Sequence, residues 1–331
     1  MAPPRLATAN AIGAIDVLLL VMTLIWGTNY SIVKRAFLEI DPQAFNAARV
    51  LIATTVFLAV IAGVRLRFGA TGRLTASSGS TADPRGIFFT PEPITRRDWF
   101  SLVILGIIGH CLYQYFFIGG LARTTVANSS LMLAATPVVI ALMSAAIGQD
   151  RISRLHWAGA ALSIAGIYIV IGQGLSLEGG TLTGDLMMFT AVCCWAIYTL
   201  GSRHLMLRHS PVGVTGLSMA VGAAIYVPVM LPNLLRTDWR AVSSGTWIAL
   251  VYSALFALCV AYTIWYMAVR AIGSARTSVY SNLVPIVAMG TAVVFIGERL
   301  TAARLGGAAA VLVGVALTRV GKVAPIVCPE E

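Results

Sequence analysis

Long hydrophobic runs separated by short polar stretches fill almost the whole chain. A run of about 20 apolar residues is what an α-helix needs to cross the hydrocarbon core of a bilayer. The pattern therefore predicts an all-α membrane protein. Its ten predicted membrane-spanning helices lie at residues 15–37, 43–64, 99–120, 125–147, 155–174, 184–204, 211–232, 246–269, 276–297 and 303–320.

One part of this pattern occurs twice. Residues 126–167 align with residues 274–315 at a shift of 148, which places Pro137 on Pro285. Each copy is an apolar span with one proline, an acid–Arg turn, and a second span rich in Gly and Ala. Two similar pairs of hydrophobic helices indicate a fold built from two related halves.

A second correspondence extends the repeat to the first span of each half, where a shift of 169 places Trp26 on Trp195. We expect the polar stretch at residues 66–97 to be a mobile cytoplasmic loop. Its extra length in the first half explains why the shift changes from 169 to 148 along the chain. We assign a first five-helix repeat to 15–174 and a second to 184–320. Because five is odd, the second repeat is expected to be inverted, with a central cavity between the two, as in many secondary transporters.

Composition and charge narrow the class of protein. The chain is 58% hydrophobic and 11% charged, whereas soluble domains carry about 25% charged residues. The net charge of +10 comes from basic residues scattered at the ends of apolar runs, so we expect a lipid bilayer as partner and no nucleic acid. Lys and Arg are more frequent in the segments predicted to lie on the same side of the membrane as the N-terminus. By the positive-inside rule, this predicts that both termini are cytoplasmic in an inner membrane protein.

Motifs of soluble enzymes are missing from the sequence. It holds no P-loop, no His-Glu-x-x-His and no cluster with metal-ligand spacing. We therefore expect no enzyme activity, no cofactor and no metal, and a monomer or weak homodimer.

The repeated motifs resemble a known family. The Trp26–Gly27 dipeptide, the mid-span prolines and the run Phe-Ile-Gly-Glu-Arg-Leu-Thr at 295–301 are similar to the EamA repeats of the drug/metabolite transporter superfamily. The first half departs from the motif, with Gly-Gln-Asp-Arg in place of Gly-Glu-Arg. The resemblance implies export of small metabolites, with exporters of aromatic and other amino acids the most similar. Drugs, nucleotide sugars or other metabolites are the alternative substrates, and a membrane-embedded enzyme is less expected.

Arg49 is the first candidate for substrate binding, because a charged residue inside a span needs a reason. It lies in the second predicted span, and Asn46 shares its helix face. A cation at this depth suits a substrate carboxylate. The alternative is an arginine that locks neighbouring helices, and the resemblance favours it because the family commonly has an arginine here whatever its substrate.

The first span of each half presents an aromatic face. Trp26, Asn29 and Tyr30 have the spacing i, i+3 and i+4, so they share one face and suit an amphipathic solute. Their counterparts in the second half are Trp195 and Tyr198. The alternatives are core packing for Trp26 and an interfacial aromatic belt for Tyr30.

The third and eighth spans supply a second set of candidates. His110, Gln114 and Phe117 share one helix face, and Tyr262 and Trp265 occupy matching positions in the second half. His110 could couple transport to protons, although a lone histidine in a span is more often a packing residue.

The repeated prolines are candidate hinges. Pro137 and Pro285 lie near the middle of their predicted spans, where proline removes a helical hydrogen bond and kinks the helix. Asn282, just before Pro285, could satisfy the freed carbonyl or contact substrate. The alternative is a pair of static kinks that only shape the cavity.

Two further repeated features have simpler explanations. The small-residue faces of the fifth and tenth spans, with Gly159, Ser163 and Gly166 in the first half, indicate close packing within the bundle or a dimer contact. The acid–Arg turns at 150–151 and 298–299 are expected to be surface ion pairs.

Overall fold

The computed structural model is a bundle of long helices. The predicted polar loop at 66–97 lies largely outside its described residues, so the loop's mobility stays a prediction. The structure describes residues 13–69, 93–146, 150–152, 154–172, 180–272, 277, 280–299, 301–320 and 323–325.

The helices of the first half begin at sequence signals for helix capping. The Thr95 hydroxyl accepts a hydrogen bond from the Asp98 N–H, and the Asp98 carboxylate accepts one from the Thr95 N–H. Thr125 caps the following helix by accepting from the Asn128 N–H at 3.1 Å. The elements described in this half are α1 (Ala14–Ala36), α2 (Pro42–Gly69), α3 (Arg96–Arg123), α4 (Val126–Ala134), α5 (Thr136–Ala146), β1 (Asp150–Ile152) and α6 (Arg154–Gly172).

The second half uses the same kinds of signal. Ser210 caps its second helix by accepting from the Gly213 N–H, and Pro211 occupies the first turn, where its missing N–H costs nothing. The elements described here are α7 (Gly180–Arg208), α8 (Pro211–Val229), α9 (Leu231–Arg236), α10 (Ser244–Tyr252 continued by Ser253–Val260 and Ala261–Ile272), α11 (Val284–Ile296), α12 (Ala302–Val320) and β2 (Val323–Pro325).

Six helices within the described residues are long and apolar enough to cross a membrane: α1, α2, α3, α7, α8 and α10. Shorter apolar helices lie at Trp157–Gly166, Val284–Ile296 and Leu305–Leu317. The observed bounds agree closely with the prediction, for example Ala14–Ala36 against the predicted 15–37. The prediction of membrane helices is confirmed, whereas the number of ten crossings stays a prediction.

Both α3 and α10 contain a π-helical segment that the sequence pattern did not predict. The segments are Ile107–Leu112 and Ser253–Val260, and the shift of 148 carries the first onto residues 255–260. A π-helical turn is wider than an α-helical one and is frequent at functional sites. The two wide turns lie at equivalent places in the two halves.

Each repeated proline follows an interruption of its helix. Ala135 separates α4 from α5, in which Pro137 is the second residue, and the turn at Asn282 and Leu283 precedes α11, in which Pro285 is the second residue. Proline is tolerated in a first turn because its missing N–H would have no partner within the helix. Each proline thus coincides with a break in its predicted span, and the hinge role stays a prediction.

Contacts between helix ends fix the relative direction of α1 and α7. The Lys34 ammonium, near the end of α1, donates to the carbonyl of Thr124 at 2.5 Å, and the Thr124 hydroxyl donates to Asp185 near the start of α7 at 2.5 Å. At the opposite end of the bundle, Asp98 at the start of α3 meets Arg208 at the end of α7. The helices α1 and α7 therefore run in opposite directions, as inverted repeats require. The repeats 15–174 and 184–320 themselves stay predictions.

Polar contacts distinguish the two ends of the bundle. The "Thr124 end" contains Lys34, Thr124 and Asp185, and the "Asp98 end" contains Asp98 and Arg208. The strands β1 and β2 pair antiparallel, with Asp150 opposite Pro325.

The small-residue faces of α6 and α12 pack against each other within the chain. A Cβ atom on Gly314 would lie 2.5 Å from the Gly159 carbonyl, and one on Gly166 would lie 2.7 Å from the Gly307 carbonyl. The Ser163 hydroxyl also donates to the Val311 carbonyl at 3.3 Å. Such contacts require small residues, so the prediction of close packing within the bundle is confirmed.

Candidate functional site

Arg49 lies in the centre of the bundle with only 1% of its surface exposed. Its guanidinium donates to the Ser253 hydroxyl of α10 at 3.0 Å and to the Gln114 side-chain oxygen of α3 at 2.8 Å. Both partners are uncharged, and the Arg49 Nε atom has no hydrogen-bond partner among the described residues. Arg49 therefore links three helices from both halves while its charge is not compensated there.

Asn46 extends this polar group by one helical turn. Its amide donates to the Tyr226 hydroxyl of α8 at 2.8 Å and to the Gln114 carbonyl at 3.4 Å. The Tyr226 hydroxyl in turn donates to the side chain of Gln43. The predicted pair of Asn46 and Arg49 is thus found in one network, together with a Tyr226 that the sequence did not single out.

A continuous series of aromatic rings crosses the bundle beside Arg49. Its members come from α1, α3, α7 and α10, so both halves contribute. Neighbouring ring centroids are 5.1 to 5.9 Å apart, the range of favourable aromatic contacts. The series, called the aromatic series below, runs through Trp265, Trp26, Tyr262, Trp195, Tyr113, Phe117 and Tyr30.

Gln114, which accepts the hydrogen bond from Arg49, directly follows Tyr113 of the aromatic series in α3. The cation and the aromatic series are therefore adjacent. The rings of Trp26 and Trp195 are only partly buried, while Tyr262 between them is 5% exposed. The arrangement offers one cationic group and several ring faces to a solute.

Trp26 is held in place by the π-helical turn of α10. Its indole N–H donates to the Ala257 carbonyl at 3.0 Å, and Ala257 lies within the π-helical segment. A wide turn disturbs the regular i to i−4 ladder and leaves carbonyls available for other donors. The π-helical turn thus explains how an indole from α1 docks on α10.

His110 is completely buried in the π-helical segment of α3. Its ring lies 4.9 Å from the ring of Tyr198 in an edge-to-face arrangement, and Tyr198 is bonded to the Ser218 hydroxyl at 3.2 Å. Both ring nitrogens of His110 lack hydrogen-bond partners among the described residues. Gly222 of α8 allows the close approach, since a Cβ atom there would lie 2.5 Å from the His110 Cβ.

The three predicted residues of α3 therefore face different neighbours. His110 faces α7 and α8, Gln114 faces Arg49 on α2, and Phe117 contacts Tyr30 on α1. The prediction of one shared face assumed regular α-helical spacing, which the π-helical segment changes. All three side chains are nonetheless buried in the same region.

Two predicted residues lie outside these contacts. Asn29 is 6% exposed, and its side-chain oxygen has no hydrogen-bond partner among the described residues. Asn282 is half-buried in the turn before α11. Their predicted contact with substrate stays a prediction.

Sequence analysis missed Tyr113 and Ser253 as well as Tyr226. Tyr113 stacks on Phe117 at 5.5 Å and contacts Trp195 at 5.1 Å, and its i, i+4 spacing to Phe117 was a usable signal. Ser253 bonds Arg49, but a single serine in an apolar span gives no sign of its partner. Only the packing of α2 against α10 reveals it.

Polar contacts lie at both ends of the bundle. At the Thr124 end, Lys34 also donates, within the first half, to the carbonyls of Leu121 at 2.7 Å and Ala122 at 3.2 Å. At the Asp98 end, Asp98 contacts Arg208 at 3.1 Å and His209 at 3.2 Å. The central site is thus bounded by polar contacts above and below.

Asp16 of α1 makes a further contact between the halves at the Asp98 end. Its carboxylate accepts a hydrogen bond from the Tyr280 hydroxyl at 2.7 Å. Asp185, the repeat counterpart of Asp16, is bonded to Thr124 at the other end. In each half, the acid of the first helix therefore contacts the other half.

The fold is that of a multi-pass membrane protein, and comparisons with known proteins give its class. The EamA-like transporter family matches residues 13–172 and 182–320. The chain therefore belongs to this family, with one match in each predicted repeat.

Several relatives are similar over most of the chain. An uncharacterized transporter, YyaM of Bacillus subtilis, is 29% identical over 66% of this chain and 73% of its own length. A probable amino-acid metabolite efflux pump of Salmonella typhimurium is 24% identical over 90% of this chain and 92% of its own length. A probable terminal-alkyne amino-acid exporter of Streptantibioticus cattleyicolor is 26% identical over 74% of this chain and 81% of its own length.

A solved crystal structure shares the fold. It has a TM-score of 0.59 and 18% identity, and the match covers 93% of this chain and 98% of the other. At this level of identity the similarity concerns the fold alone.

Proposed function

We propose that the protein is a secondary transporter that exports amino acids or related small metabolites across the inner membrane by alternating access. The observation that carries this proposal is the environment of Arg49, a buried cation with uncharged partners beside the aromatic series. Burial of an uncompensated charge costs several kcal/mol. A bound carboxylate would offset that cost and would explain why the charge is kept at this depth.

The remaining groups of the site suit the rest of such a molecule. The rings of Trp26, Tyr262 and Trp195 could enclose an apolar or aromatic side chain. The unpartnered nitrogens of His110 and the side-chain oxygen of Asn46 could bond polar groups. Two relatives named for amino-acid efflux or export support this substrate class.

Alternating access would use the contacts between the halves. In this mechanism the contact of Asp185 with Thr124 opens at the Thr124 end while those of Asp98 and Asp16 hold the opposite end, and then the reverse occurs. The breaks before Pro137 and Pro285 would serve as hinges. The two π-helical turns would allow α3 and α10 to repack around the site.

Transport by purified protein tests the proposal. Proteoliposomes are loaded with labelled Phe, Met or Thr, and efflux is followed with and without unlabelled solute outside. For at least one of these solutes or its deaminated analogue, we expect flux well above that of liposomes without protein. The Arg49→Gln variant should lower this flux at least about tenfold, because it removes the charge.

Arg123→Gln is the matched control, because Arg123 is exposed and donates only to the Gly119 carbonyl and, weakly, to the sulfur of Met187 among its described contacts. This variant should transport like the wild type. Trp26→Ala should also lose most flux by removing a ring from the site. Wild-type flux in both Arg49→Gln and Trp26→Ala would mean that substrate does not bind at this site.

A further inference from the structure

The charge of the central site is positive and has no internal counterion among the described residues. The two hydrogen-bonded partners of Arg49, the Ser253 hydroxyl and the Gln114 amide, are neutral. Arginine stays protonated under all ordinary conditions. The Arg49 Nε–H remains available as a donor.

The carboxylates of the described spanning regions are engaged elsewhere. Asp16 is bonded to Tyr280, Asp98 to Arg208, and Asp185 to Thr124. Glu298 accepts from the backbone N–H groups at the start of α4. All four lie near the ends of the bundle, so none of them compensates Arg49.

The groups around Arg49 that can accept hydrogen bonds are neutral. The Asn46 side-chain oxygen and the His110 ring nitrogens are without partners and could receive donors from a solute. Ring faces of the aromatic series could also attract a cation. Neither kind of group changes the net charge of the site. If the carboxylate of an amino acid binds Arg49, the ammonium group of the same amino acid is repelled by the guanidinium.

From this charge balance we infer that the site prefers net-anionic aromatic carboxylates, which lack a free ammonium group, over zwitterionic amino acids of the same shape. The inference rests on the proposed function and specifies which of the related metabolites bind best. A monoanion neutralises the buried charge when it binds, whereas a zwitterion leaves the complex with the full positive charge. The aromatic series selects for a ring in the rest of the molecule.

Three solutes that share a phenylethyl skeleton test the effect of charge, and the first two of them have the same carbon chain. Hydrocinnamate is an anion, phenylalanine is a zwitterion, and phenethylamine is a cation at neutral pH. Binding of each to the purified full-length protein in detergent is measured by isothermal titration calorimetry. We expect hydrocinnamate to bind about tenfold or more tightly than phenylalanine, a difference of about 1.4 kcal/mol, and phenethylamine to bind most weakly.

Gln114→Glu is the sharpest variant, because it places a carboxylate of the same shape 2.8 Å from the guanidinium. The substituted side chain neutralises Arg49 from within the protein. In this variant hydrocinnamate and phenylalanine should bind with about equal affinity, or phenylalanine should bind more tightly. A helix-locking role of Arg49 alone would leave the ratio unchanged in this variant.

Arg123→Gln serves again as the matched control and should keep the wild-type ratio. If Gln114→Glu does not fold, the wild-type ranking of the three solutes decides by itself. Phenylalanine binding as tightly as hydrocinnamate would overturn the inference and leave the proposed function intact. A protein that neither binds nor transports any carboxylate would overturn both.

Discussion

The two acid–Arg turns have nearly the same sequence but different backbone structures. The Glu298 carboxylate accepts hydrogen bonds from the N–H groups of Val126 at 2.7 Å and Ala127 at 3.3 Å. It thereby caps the first turn of α4, where the helix dipole favours a negative charge. Asp150 instead lies in β1, paired with Pro325 of β2. The surface ion pair expected at Glu298 is therefore corrected to a helix cap that joins the two halves.

A single glycine distinguishes the two turns. Gly297 ends α11 with a φ of 74°, a left-handed conformation that glycine adopts without strain. The first half has Gln149 at the equivalent position, which lies outside the described residues. The comparison shows that repeated sequence does not ensure repeated backbone structure, since one acid lies in a strand and the other follows a left-handed glycine.

The largest expected effect is at Lys34, which holds the same turn as Glu298. The Lys34→Met variant removes three donors from the carbonyls at the end of α3. We expect the free energy of unfolding, measured by titration with dodecyl sulfate in micelles, to fall by about 3 kcal/mol. Arg35→Met, at an exposed neighbouring position, is the control and should change it by less than about 0.5 kcal/mol.

Replacement of Glu298 tests the cap directly. Glu298→Ala should lower the free energy of unfolding by about 2 kcal/mol, since two N–H groups lose a charged acceptor. Asp150→Ala should have a much smaller effect, because the described pairing of β1 with β2 is through the backbone. Equal losses in the two variants would show that the turns are equivalent after all.

The conformation of Gly297 gives a smaller effect. Gly297→Ala should cost about 1 kcal/mol because alanine is strained at positive φ. The control is Gly290→Ala within α11, where a Cβ atom meets nothing within 4 Å and helix propensity favours alanine. A stabilised Gly297→Ala protein would contradict the role assigned to this turn.

The smallest expected effect concerns Glu39, a second carboxylate that caps a helix of the other half. Hydrogen bonds from the hydroxyl and N–H of Ser243 lower the pKa of Glu39. A lowered pKa stabilises the fold at neutral pH, and this contribution disappears as pH falls below the ordinary range of a glutamate. The melting temperature of wild-type protein should therefore fall slightly more between neutral and acidic pH than that of Glu39→Gln.

The predictability of the site differs from residue to residue. The positions of Arg49 and Trp26 within apolar spans marked them as candidates, because polar and aromatic groups at that depth are conspicuous in one sequence. Their partners were not visible. Ser253 and the Ala257 carbonyl are found only once α1, α2 and α10 pack together. The divergent directions of His110 and Gln114 depend on a π-helical turn that no periodicity revealed.

The sequence by itself determined the helical membrane class, the approximate helix bounds and the existence of two related halves, because bilayer thickness and the helical repeat constrain apolar runs directly. The tertiary structure decided which polar groups meet. The contacts of Arg49 with Gln114 and with Ser253 join residues more than 60 positions apart. These contacts depend on how the helices pack and on the π-helical turns. Neither of these can be predicted from the pattern of apolar and polar residues along the chain.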